Sequence, residues 1–231
     1  GKPTGLEQSD RGLLKLWINP KSSNQMPVMS CALGADPSWG TGATPTCFSG
    51  FNAATGEKIL EYVNANITPS DAAALYTALG WLFQDEYGNP AKLCWEIPGP
   101  GIPFGRKIIE MGYRNVYYRE DEDSLGKIRD NKMRPGWMNV NAKALTTLME
   151  SYADALRYKK CLNRSKMALQ ETLNFIYTST GIEYKKRGAV DDGAAGSRVH
   201  HGDIVIADAQ AWMMVKALAK NATTGFASRI G

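Results

Sequence analysis

The chain of 231 residues contains no apolar run long enough to cross a bilayer, and its opening stretch GKPTGLEQSD lacks the basic and apolar regions of a secretory signal. The expectation is therefore a soluble, cytoplasmic chain. No G-x-x-x-x-G-K-[ST] phosphate loop occurs, so ATP hydrolysis of the P-loop kind is not expected. The four cysteines, Cys31, Cys47, Cys94 and Cys161, show none of the short paired spacings that zinc sites use, and three of them fall in strand-like stretches. They read as buried free thiols, which suits a reducing compartment. Neither a Ser-His-Asp nor a Cys-His arrangement has convincing context, and there are no internal repeats. The net charge of +4 is mild, so nucleic acid is permitted as a partner without being argued for.

What is present is ordinary globular composition, 43% hydrophobic and 22% charged, enough for one large domain with a real core. Residues 1–25 read as an N-terminal extension or linker and 26–231 as the domain. PVMSCALGAD (27–36) is nearly continuous in small and apolar residues, as in a central strand covered on both faces, and it ends on a carboxylate. TCFSGF and EKILEYVNA, joined by NAATG, predict a hairpin in the same sheet. A helix follows, with Thr68 as cap, Pro69 in its first position and Asp71 facing its positive end. AKLCWE (91–96) is a second apolar strand ending on a carboxylate, and a helix runs on to about residue 111.

Further along, YRNVYY predicts a strand and REDEDSLGKIRDNKMRPGW a polar loop. Two amphipathic helices are expected near 141–160 and 165–178, and the glycine- and charge-rich stretch from 181 to 202 reads as an exposed excursion. Hairpin first, then crossovers through helices, with helices accumulating at the end, argues for an α/β fold: a ribonuclease H-like mixed sheet flanked by helices.

The motifs GADPSWG, CWEIPGPG and HHGDIVIADA, in that order, resemble the C-terminal nuclease domain of the large terminase subunit of tailed bacteriophages and related viruses. The likeness extends to PSDAAALYTALGWLF, FGRKIIEMGYRNVYYRE and NRSKMALQETLNFIY. The resemblance implies a metal-dependent endonuclease that cuts concatemeric double-stranded viral DNA with little sequence preference, in the host cytoplasm. It implies Mg2+ or Mn2+ as cofactor, two hard ions about 4 Å apart that want carboxylate oxygens. The family's ATPase lies in an N-terminal domain, so the ATPase domain, the small terminase subunit and the portal protein are the implied partners. Two alternatives stay open: another ribonuclease H-like nuclease of the resolvase type, and a non-catalytic docking module of the same fold.

Carried over by motif, Asp36 is the first-strand carboxylate, placed to bridge both metals, and Glu96 ends the neighbouring strand 60 positions later (96 − 36). The third ligand is Asp203 or Asp208. On a helical projection Asp203 falls roughly 50° from the centre of the stripe Ile204, Ala207, Ala211, Met214 and Leu218, and Asp208 roughly 90° away. Asp203 is the first choice and Asp208 the second, as ligand or as support behind one. His201, or its neighbour His200, would orient water or steady the phosphate. Lys185, Lys186, Arg187 and Arg198 are candidates for DNA phosphate contact, with Arg134 and Lys132 near Trp137 as weaker ones. Each carboxylate alone has an ordinary explanation: a turn former at Asp36, a strand end at Glu96, a helix cap at Asp203. Trp81 and Phe83, at a helix end, read as core.

Overall fold

The computed structural model describes residues 3, 5–21, 25–122, 128–138, 142–179, 181–185 and 202–227. Its main sheet has five strands, β1 (Leu14–Leu16), β2 (Cys31–Asp36), β3 (Thr46–Asn52), β4 (Lys58–Asn64) and β5 (Lys92–Trp95), in the order β1-β4-β3-β2-β5. All neighbours are antiparallel except β2 and β5, which run parallel. The hairpin and both carboxylate-ended strands therefore stand where the sequence puts them. The domain boundary does not: β1 lies inside the stretch read as an extension, yet it pairs with β4 through Leu14↔Tyr62 and Leu16↔Leu60. A three-residue edge strand is too short to show alternation, which is why residues 1–25 read as linker.

Helix α1 (Pro69–Leu82) joins β4 to β5; the Thr68 hydroxyl accepts from the Asp71 N–H at 3.2 Å, and Pro69 opens the first turn. Helix α2 (Gly101–Glu110) follows β5. The next stretch corrects the sequence reading twice. Residues 113–117 are not a strand, although Val116 makes a single bridge to Leu93; the strand is β6 (Tyr118–Glu122), paired with β7 (Ile128–Pro135). Backbone pairing builds this hairpin from polar residues, so the hydrophobic pattern carried no sign of it.

Helix α3 (Ala142–Arg157) is as expected, but α4 (Lys166–Thr172) stops early. The aromatic and β-branched run FIYT instead forms β8 (Phe175–Thr178), paired with β9 (Gly181–Tyr184), in keeping with its strand preference. Helix α5 (Asp203–Ala227) closes the fold. None of the described helices is long and apolar enough to cross a membrane. All four cysteines are buried and free, as expected.

Strand alternation sorts the sheet into two faces. Leu33, Ala35, Phe48, Leu60, Tyr62, Leu93 and Trp95 bury against Tyr76 of α1 and Phe104 of α2; Phe83 belongs to the same core and Trp81 packs on its edge. The opposite face, with Ala32, Phe51 and Cys94, buries against Tyr152 of α3 and Val205, Ala209 and Trp212 of α5. Full burial of each large apolar side chain contributes roughly 1.5–3 kcal/mol. Helix α5 lies directly across β2 and β3, and Gly34 makes this possible. A Cβ on Gly34 would run into the Ala207 carbonyl and the Ala211 N–H, so only glycine lets the helix approach this closely.

Candidate active site

Asp36 ends β2 on the face that carries Gly34, the face covered by α5. Glu96 follows β5 directly, and its N–H donates to the Ala35 carbonyl at 3.0 Å, which continues the parallel register Ala35↔Trp95 by one step. Counting by twos from Gly34 and from Cys94 places Asp36 and Glu96 on the same face at the same end of the sheet. The Glu96 backbone is held there from both sides. Trp137 bridges it in parallel, with Ile97 N–H donating to the Trp137 carbonyl at 2.8 Å, and Gly101 at the start of α2 presses on its carbonyl so closely that any Cβ would collide.

Asp203 is the first residue of α5, and the helix lays its first turn over this same end. Ile204 and Ala207 pack with Cys47, which stands opposite Asp36 in the β2–β3 register, and with Ala168 of α4. The four acidic side chains then act on one another. The Asp36 carboxyl is pushed well above the usual carboxylate range by burial first, then by the charges of Glu96, Asp203 and Glu171. Glu171, on α4, is raised to about 7 by burial and by Asp203 and Asp208, with the N–H groups of Ile204 and Val205 pulling the other way. Burial and the same acids push the Cys47 thiol up, which keeps it protonated beside them.

The chemistry of this set fits a hard divalent cation. Every charge that bears on Asp36 is a carboxylate, each raises its affinity for a proton, and a cation among them would reverse the sign. Among the described residues, no three histidine, cysteine, aspartate or glutamate side chains stand close enough together to hold an ion as they are. The acids share one neighbourhood without forming a closed ligand cage.

Asp208 is placed elsewhere, which corrects its reading as an alternative ligand. Fully buried one and a half turns along α5, its Oδ1 lies 2.7 Å from Lys58 Nζ and accepts from the Ser49 hydroxyl. Its Oδ2 accepts from Asn163 Nδ2 at 2.7 Å and from the Tyr152 hydroxyl at 3.0 Å. A carboxylate with a buried ammonium and three further donors has little left to offer a metal.

His200, His201, Lys186, Arg187 and Arg198 lie outside the described residues. Lys185 is exposed just past β9, with its N–H donating to the Asn174 carbonyl at 2.8 Å, and Arg134 is exposed on β7. The side chain of Lys132 also lies outside the described residues. Two participants escaped the sequence reading. Glu171 was visible as an acid three residues after Ala168 on the inward side of an amphipathic helix. Lys58 was hidden by a bulge: Phe51 pairs with Lys58 and Gly50 with Leu60, so the skipped residue turns Lys58 onto the face of Glu61.

A five-strand mixed sheet with one parallel pair, helices on both faces and acids at the end of the two parallel strands is a ribonuclease H-like fold. In particular, it is the fold of phage large terminase nucleases. The large terminase nuclease from thermophilic phage G20c with bound magnesium is 18% identical, with a TM-score of 0.62 over 90% of this chain and 91% of that one. The same phage's nuclease with bound zinc gives 17%, 0.58, 90% and 92%, and the large terminase nuclease domain of Thermus phage P74-26 gives 17%, 0.59, 90% and 88%. At these identities the likeness is one of fold. No protein-family model matches the chain, and no curated protein matches it by sequence.

Proposed function

We propose that this chain is the nuclease part of a large terminase subunit, a metal-dependent endonuclease that cuts double-stranded viral DNA during genome packaging. The observation that supports the reading is that Asp36 and Glu96 end two neighbouring parallel strands on the face covered by α5, which begins at Asp203, and that burial and the charges of Glu96, Asp203 and Glu171 raise the affinity of Asp36 for a proton. Phage nucleases of the same fold have been solved with magnesium and with zinc bound.

Asp36, Glu96 and Asp203 would hold two divalent ions, Mg2+ or Mn2+. Bound there, such ions activate a water and stabilise the departing oxygen of a phosphodiester. The chain's own part is to fix the acids on rigid backbone: Asp36 and Glu96 by the parallel register, Asp203 by the packing of α5 on Gly34. His201, or His200 beside it, is assigned the attacking water or the scissile phosphate. Lys185, Lys186, Arg187 and Arg198 are assigned the DNA backbone, which lets a duplex bind with little regard to sequence. The ATPase domain of the same subunit, the small terminase subunit and the portal are the partners this reading calls for, in the host cytoplasm.

Supercoiled-plasmid cleavage with manganese, magnesium or chelator tests the proposal. Nicking and linearisation are expected with metal, with loss in chelator and in the Asp36→Ala and Asp203→Ala variants while their fold stays intact. Preference for a four-way junction or an RNA–DNA hybrid over duplex DNA would point to a resolvase or ribonuclease H proper, and metal-independent behaviour to a docking module.

A further inference from the structure

Each of the two strands that lead to an acid is followed by an exposed apolar side chain. Trp39 stands three residues after Asp36 and is 58% exposed; Ile102, in the first turn of α2, stands six after Glu96 and is 54% exposed. The two connections meet, since Pro37 is buried and a Cβ built on Gly101 would lie 3.6 Å from its Cγ. Of the six tryptophans, Trp95 and Trp212 are buried and Trp17, Trp81 and Trp137 half-buried, so Trp39 alone is left largely in solvent.

The backbone on either side of this indole is pinned. The Ser38 N–H donates to Thr46 Oγ1 at 2.9 Å, the two hydroxyls lie 3.1 Å apart, and both residues are buried. Beyond Trp39, the Gly40 N–H donates to Ser38 Oγ at 3.3 Å. Gly40 has φ +74 and lies so close to the Ile67 carbonyl that any Cβ would collide with it, and the Gly42 N–H donates to the Ala65 carbonyl at 2.9 Å. Contacts to β3 and to the chain after β4 therefore fix both neighbours of Trp39, and little conformational entropy is lost when a ligand covers its ring.

We propose that Trp39 stacks on an unpaired base of the DNA next to the scissile phosphate, and so gives the chain a preference for locally opened over fully paired duplex. Its ligand rests on the nuclease reading above. An indole carries no charge for a phosphate; what it offers is a flat apolar face, whose partner in a nucleic acid is the face of a base. Inside an intact duplex both faces of a base are already covered by its neighbours, and an unpaired base frees them. Every base has such a face, so the contact adds affinity without reading sequence. Ile102 on the neighbouring connection offers apolar area but no plane, which makes Trp39 the residue to vary.

The test is binding of fluorescein-labelled DNA in calcium, which takes the same oxygen ligands. Two probes of equal length are compared, a fully paired duplex and one with a short central stretch of mismatched bases. Wild type is expected to bind the mismatched probe more tightly, on the order of tenfold. Trp39→Phe, which keeps a ring but loses the indole N–H, should retain most of that preference, and Trp39→Ala should bind the two probes alike. Stacking also quenches indole emission, so the mismatched probe should lower the intrinsic fluorescence of wild type more than that of Trp39→Phe. A wild type without the preference, or a Trp39→Ala variant that keeps it, overturns the proposal. So does a Trp39→Phe variant as impaired as Trp39→Ala, which would make the indole N–H the working part. Should Trp39→Ala fail to fold, the quenching decides: equal quenching in wild type and Trp39→Phe overturns the stacking. A wild type that cuts plasmid in manganese but shows no preference keeps the nuclease reading and sinks the stacking; a preference lost in Trp39→Ala, in a chain that never cuts, does the reverse.

Discussion

Lys58 Nζ stands 2.7 Å from Asp208 Oδ1, and neither side chain is exposed at all. Glu61 Oε2 lies 2.8 Å from the same ammonium. Burial works against the Lys58 charge, but Asp208 and Glu61 outweigh it and hold its pKa above the ordinary lysine value. Burial likewise works against the Glu61 charge, and Lys58 outweighs it in the opposite direction. Removing the cation alone strands two acids in the interior. Lys58→Met is therefore expected to cost roughly 3–5 kcal/mol in urea denaturation, the usual penalty for an uncompensated buried charge. Adding Asp208→Asn to Lys58→Met should recover part of the loss, and a double mutant no better than the single would contradict this account.

Two aspartates on one helix should then fail in different ways. Asp203→Ala is expected to abolish metal-dependent cutting while moving the urea midpoint little, because this residue lies among like charges and keeps part of its surface in solvent. Asp208→Ala leaves Lys58, Asn163 and Tyr152 without their shared acceptor and should lose roughly 3 kcal/mol or more. Cleavage and denaturation measured on the same two preparations separate the roles; a stable but inactive Asp208→Ala would reverse them.

That division was half legible in the sequence. Asp36 and Glu96 could be placed because each ends an apolar strand, and the parallel register needed only that those strands be neighbours. Asp203 and Asp208 differ by five residues, and a helical projection ranks them by angle to an apolar stripe. In the structure, Ile204 through Trp212 are all buried, so the stripe is too wide for angle to discriminate. What distinguishes the two is the ammonium of Lys58, brought 150 positions along the chain (208 − 58) by a bulge that periodicity does not reveal. Glu171, by contrast, sits on the inward side of an amphipathic helix, and what the hydrophobic pattern misses there is that α4 ends at Thr172 and gives way to the hairpin of Phe175 and Tyr184.

The acid cluster sets a pH dependence for the metal-free chain. Folding raises Asp36 by burial and by its acidic neighbours, and raises Glu171 from 4.5 to about 7 by burial and by Asp203. A carboxyl whose folded pKa is raised contributes stability that is fully present below its unfolded pKa and is lost as pH climbs to the folded value. For Glu171 that window runs from about pH 4.5 to about 7, and the loss is on the order of 3 kcal/mol at most. Melting temperature in chelator should fall across this window. Glu171→Gln should flatten the fall, and manganese should raise the melting temperature most at its upper end, where the acids are ionised and the cation binds only the folded chain. A profile rising with pH in chelator would count against the cluster.

Helix α5 reaches the site because Gly34 has no side chain, and that gives the sharpest structural test. Gly34→Ala would drive a methyl into the Ala207 carbonyl and the Ala211 N–H, backbone atoms that cannot rotate away. The helix has to lift from β2, at a cost typical of overpacking, roughly 1–3 kcal/mol or somewhat more. Because Asp36 is two residues further along β2 and Asp203 is at the start of the lifted helix, cleavage should fall further than stability alone explains. Gly88→Ala is the control: its φ is +78 but a Cβ there meets nothing within 4 Å, so only left-handed strain of about 1–2 kcal/mol is expected and cutting should persist. Equal loss of cleavage in both variants would mean that stability, and not the seating of α5 on the sheet, governs the site.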